Sequence, residues 1–148
     1  MAFTNTNNRL TGRQPAVVPA GAEDVSQRDE IALVSADLDA NVAGSVSILP
    51  AGCVLVSITY DSDKLDTGAT PTITASVGVM NAADSDLDTV LASGITASRD
   101  GSAVHLVTPA MLRLAPSTSD RRIGVKFTAA PATKQEGTVG LTLHYRAA

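Results

Sequence analysis

The sequence predicts an all-β domain, an antiparallel β-sandwich of jelly-roll type with an extended N-terminal arm. Three observations carry that expectation. Apolar residues recur with a period of two in several short runs; turn-forming clusters separate the runs; and twelve of the fifteen acidic residues are Asp, which suits turns and caps, rather than Glu, which suits helix interiors. At 148 residues the chain is the size of one domain and buries a core without disulfides or metal staples.

The first element is the arm. Residues 1–28, "MAFTNTNNRLTGRQPAVVPAGAEDVSQR", are rich in Asn, Thr, Gly and Pro and hold no sustained period of 2 or 3.6. The expectation is an arm without its own core, disordered in the free chain and ordered on a partner. Phe3, Leu10, Val17 and Val18 would be its apolar anchors, and Arg9 and Arg13 its charges. Residues 29–148 would then form the sandwich.

Within that body, "CVLVSITYD" alternates Val54, Val56, Ile58 and Tyr60 with Leu55, Ser57, Thr59 and Asp61, the pattern of a strand with one buried face. The pattern returns with Ile73, Ala75, Val77 and Val79 in "TITASVGVM", and with Ile123, Val125 and Phe127 in "RIGVKFT". It returns again with Val139, Leu141, Leu143 and Tyr145 in "TVGLTLHYR". Weaker candidates are "EIALVS", "NVAGSVSIL", "SAVHLV" and "MLRL". A short helix is expected around residues 86–92. A helical turn is expected at "TPAM", where Thr108 caps and Pro109 takes the first helical position.

Composition narrows the function classes. The net charge of −4 offers no surplus of cations to replace counterions, which argues against nucleic acid as a direct partner. No run of 18 apolar residues and no signal-peptide pattern occurs, so neither a membrane partner nor secretion is expected. The charges are nevertheless unevenly spread. Asp61, Asp63, Asp66, Asp84, Asp86 and Asp88 crowd the middle of the chain, whereas Arg99, Arg113, Arg121, Arg122 and Lys126 follow. Copies of the chain could pair acidic stretch to basic stretch, with Arg113, Arg121 and Arg122 as candidate contacts.

No motif points to catalysis. "DSDLDTVLASGI" starts like a calcium loop, with Asp84, Asp86 and Asp88 at alternate positions. Thr89 then stands where Gly is needed, and Ile95 where a bidentate Glu is needed. His105, His144 and the single cysteine, Cys53, lack metal-ligand spacing. A Cys53 nucleophile with either histidine has no local signature, and "AGAED" and "LASGITASRDG" lack the Lys of a phosphate loop. The expectation is therefore no catalytic residue, no metal and no cofactor: a protein that works by binding and is not an enzyme.

Several turns and strands carry a family resemblance. They are Pro50-Ala51-Gly52 leading into a strand, Asp63-x-Leu65-Asp66-x-Gly68, and Gly78-Val79 followed by Asn81-Ala82-Ala83. Near the end come Ala130 to Thr133, Gly137 to Val139, then Leu143, Tyr145 and Arg146. Over about residues 30–148 the chain resembles the head decoration, or cement, proteins of tailed bacteriophages. The resemblance implies a structural virion protein on the capsid exterior, assembled in the host cytoplasm, self-associated into dimers or trimers and bridging major capsid subunits. Composition and charge, rather than the resemblance, supply the candidate capsid or self-association contacts: Phe3, Arg9, Leu10, Arg13, Val17, Val18, Arg113, Arg121 and Arg122. Other readings of the same features are a head fibre or tail component, or a carbohydrate-binding β-sandwich module; scarce aromatics count against the last.

Overall fold

The computed structural model describes residues 2–148; of the arm, only residue 1 lies outside it. Eight strands form two four-stranded antiparallel sheets. One sheet contains β1 (Asp24–Leu33), β8 (Gly137–Ala147), β3 (Cys53–Ser62) and β6 (Ala103–Leu106), in that order. The other contains β2 (Ala43–Leu49), β7 (Arg121–Ala129), β4 (Thr74–Met80) and β5 (Leu87–Ile95). Successive strands thus mostly alternate between sheets and return beside earlier ones, the double Greek-key weave of a jelly roll.

The facing residues form one aliphatic core. Ile123, Val125 and Phe127 of β7 and Val139, Leu141, Leu143 and Tyr145 of β8 are all fully buried, as their alternation predicts. The β3 pattern is corrected in its first half. A bulge between Leu55 and Ser57 shifts the register against β8, so Leu55, Ile58 and Tyr60 are buried while Val54 and Val56 are only half-buried. One inserted residue exchanges the faces of everything before it.

Two further expectations are overturned. Residues 86–92 form no helix; from residue 87 on they belong to β5, which pairs with β4 from Ala75↔Ile95 to Met80↔Leu87. An isolated helix of two turns is marginal in water, whereas β4 supplies a ladder. The intervening turn is built by Asn81, whose Oδ1 accepts from the Ser85 amide at 2.9 Å, and by Asp84 in the left-handed region at φ 56°. "MLRL" is not a strand, because Met111 and Leu112 finish helix α1 (Pro109–Leu112). That helix starts as expected: Thr108 Oγ1 accepts from the Met111 amide, with Pro109 in the first turn. Thr108 also donates to the Leu91 carbonyl at 2.6 Å, which ties the helix to β5.

One buried carboxylate organises the loops at one end of the sandwich. Asp66 accepts backbone N–H groups from Gly68, Thr72, Ile73, Ala132 and Thr133 at 2.8–3.2 Å. Burial alone would raise its pKa. The hydrogen bonds from Thr72, Ala132, Thr133 and Gly68 outweigh burial and hold the carboxyl well below the usual carboxylate range. Such a group stabilises the fold in full above its unfolded pKa of about 4, and that stabilisation is lost as pH falls further. Asp66→Asn should therefore cost about 3 kcal/mol at pH 7 in urea denaturation. It should also flatten the decline in stability that the wild type shows below about pH 4.

Candidate docking surface

The arm ends earlier than its composition suggests, since residues 24–28 already belong to β1, and the part before them does not float beside the body. Asn5 Nδ2 donates to the Ala32 carbonyl at 2.8 Å, and Asn7 Nδ2 donates to the carbonyls of Glu30 and Val46 at 3.1 and 2.8 Å. Val46 is the extra residue of a β2 bulge, so its carbonyl lies outside the ladder and is free to accept. Thr4 donates to Asp37 through both its amide and its hydroxyl, each at 2.9 Å. The arm therefore closes the side of the sandwich where β1 and β2 are the sheet edges.

Phe3 and Arg9, read from the sequence as contacts for a partner, are used inside the molecule. Phe3 is buried, its ring 6.1 Å from that of Phe127. It lies over Gly44, where a Cβ would come within 2.3 Å of the ring, so glycine is required there. Arg9 is 5% exposed, and its Nε lies 3.1 Å from the carboxylate of Asp29. Leu10 is half-buried. The composition of the arm hid this, because single anchors and side-chain amides hold it where no strand periodicity exists.

Other candidates remain on the surface. Arg13 and Arg113 are exposed, and Val17 and Val18 are 45% and 71% exposed. The Val17 backbone is nevertheless fixed: its amide donates to Gln27 Oε1 at 2.9 Å, and its carbonyl accepts from the Tyr145 hydroxyl. The exposed valine pair thus starts from a backbone fixed at Val17. Arg121 and Arg122 line a cleft of about 370 Å³ with Asn81, Ala82, Ser119 and Asp120.

Acidic and basic stretches meet within the chain. Asp84 pairs with Arg122 at 3.2 Å and Asp86 with Lys126 at 2.8 Å. The order β7-β4-β5 brings the 81–86 turn beside β7, which accounts for both pairs. Two of the three alternating aspartates thus face cations of their own chain. Asp61 pairs with Arg28 at 2.7 Å. Among the described residues no cluster of three or more His, Cys, Asp or Glu side chains could hold a metal.

The histidines come together where spacing gave no sign of it. His105 on β6 and His144 on β8 flank Thr59 on β3, with ring centroids 5.8 Å apart and Thr59 Oγ1 3.0 Å from His105 Nδ1. Cys53 is remote from them. It pairs with Ala147 at the other end of β3, is buried in the core, and burial pushes its thiol pKa up. No cysteine–histidine dyad forms.

No protein-family model matches the chain, and no curated protein does. Solved structures do match. A chain in the capsid of Ralstonia phage GP4 superimposes with a TM-score of 0.76 at 28% identity, covering 95% of this chain and 96% of that one. A chain in the Cyanophage Pam1 capsid asymmetric unit has a TM-score of 0.70 at 24% identity, covering 100% of both. The second likeness speaks to the fold; the first extends to sequence. The structural neighbours of this chain are thus phage capsid chains.

The packing separates two kinds of arm residue. Phe3→Ala should lower the stability of the free protein by about 3 kcal/mol, by loss of buried area and an unfilled site above Gly44. Val18→Asp should change it by less than about 0.5 kcal/mol. Urea denaturation of both variants checks the contrast.

Proposed function

We propose that this chain is a structural virion protein that binds the outside of a phage capsid and stabilises it by bridging major capsid subunits, associating with copies of itself. The observation that carries this reading is the likeness, over nearly the full length of both chains, to a chain in the capsid of Ralstonia phage GP4. The character of the surface supports it. Val17, Val18, Arg13 and Arg113 are exposed, as a docking surface requires. All four aromatic residues, Phe3, Tyr60, Phe127 and Tyr145, are buried, so no ring is offered for stacking on a sugar.

The mechanism is mass action. A protein that binds the assembled shell across subunit joints, and not the separated subunits, shifts the equilibrium toward the shell. It needs neither a cofactor nor a chemical step. Shells assembled without the protein should rupture at a lower temperature than shells carrying it, and adding the purified protein back should restore the difference. Equal rupture temperatures would contradict the capsid-bridging role and favour a tail or head-fibre position.

A further inference from the structure

Arg121 opens β7 and has an unusual deficit. Its Nη1 donates to the Ala115 carbonyl at 2.9 Å. Its Nε and Nη2 are shielded from solvent and have no hydrogen-bond partner, the only buried side-chain nitrogens or oxygens in that condition among the described residues. A buried donor without an acceptor is costly, and more so when it carries charge. Burial also lowers the Arg121 pKa, which means that its surroundings disfavour the charged form. The acid next in sequence does not answer this need, since Asp120 Oδ1 accepts from the Ala51 amide at 2.9 Å.

The two open donors form one edge of the planar guanidinium, the edge that takes both oxygens of a carboxylate side-on. Arg28 shows that geometry in the same molecule: its Nε and Nη2 lie 3.3 and 2.7 Å from the two oxygens of Asp61. Arg121 has the same edge free and lines the cleft of about 370 Å³ between the Asn81-Ala82 turn and the Ser119-Asp120 loop. In this structure that edge is buried, so a partner engages it only once the side chain turns the edge toward the cleft.

We propose that the Arg121 cleft is a docking site for a carboxylate of another protein chain, an Asp or Glu side chain held side-on by Nε and Nη2. The proposal rests on the reading that this chain works by docking to other proteins, and it names the chemistry that one such partner must present. A single negative charge suits the site better than a dianionic phosphate. Arg122 is already paired with Asp84, and Asp120 adds a negative charge at the cleft.

The test follows the Arg121 Nε–H signal of the isolated full chain by nitrogen-15 NMR during titration with acetyl-Gly-Glu-Gly-amide, its Gln counterpart and inorganic phosphate. The expected result is a saturable shift with the Glu peptide and none with the Gln peptide. Binding read from backbone amide shifts of the cleft residues should be at least tenfold weaker in Arg121→Lys, which keeps the charge and loses the fork. Arg121→Met should unfold at the same or a higher temperature than the wild type, because it removes orphaned donors. The same variant should bind shells stripped of the protein at least tenfold more weakly. An unmoved Arg121 signal, equal binding of the Gln peptide, tighter binding of phosphate than of the Glu peptide, or full affinity in Arg121→Lys would each overturn the proposal. A positive peptide titration with no binding of wild type to shells would sustain the carboxylate site and defeat the capsid reading instead.

Discussion

Asp29 puts a carboxylate into the side of the sandwich where β1 and β2 lie at the sheet edges, and three other side chains converge on it. Arg9 comes from the arm, Gln27 from the same strand at 3.1 Å, and Ser47 from β2 in the other sheet at 2.6 Å. Gln27 in turn donates to the Ile48 carbonyl and accepts from Tyr145. A buried charge must be paired and hydrogen-bonded, and removing one partner of a buried pair costs about 3–5 kcal/mol because the other is stranded. Arg9 is the cation that answers Asp29, so the arm has to cross this edge. Its crossing fixes where Phe3 enters the core and where Val17 and Val18 emerge.

The same constraint explains what could and could not be read from the chain. Strands β4, β7 and β8 announce themselves because each keeps a strict period of two over the residues that face the core. The β3 phase was half hidden, since a bulge leaves no mark in composition. Residues 86–92 misled for a related reason: Asp86 and Asp88 look like helix-starting acids, yet the ladder to β4 decides the conformation. Of the nine candidate contacts, Arg13, Val17, Val18, Arg113 and Arg122 lie exposed. Phe3 and Arg9 looked like free anchors because their partners, Gly44 and Asp29, lie 41 and 20 residues away. The Arg121 cleft was invisible in principle, since an orphaned donor is defined by what surrounds it.

Most charged groups here are satisfied at home, and that sharpens the functional reading. Asp66 serves two loops, Asp84 and Asp86 hold the β4–β5 turn against β7, and Arg28 is claimed by Asp61 and Glu30. Against that background the guanidinium of Arg121, with two donors unpartnered, stands out, and it is the contact we propose for another chain. Proteins tolerate such local deficits where function requires them. A body that is finished before it binds loses little conformational entropy on docking, which favours tight attachment from a modest area.

The central claim is that this chain is a preformed module that docks on a phage shell through surface it does not use for folding. An electron-microscopy map of the particle that carries it tests this most directly. The account predicts the jelly roll on the shell with the arm still laid across β1 and β2, and a carboxylate of a neighbouring chain seated in the Arg121 cleft. A particle without the chain, an arm detached from β1 and β2 and wound into a neighbour, or a cleft open to solvent in every copy would contradict it.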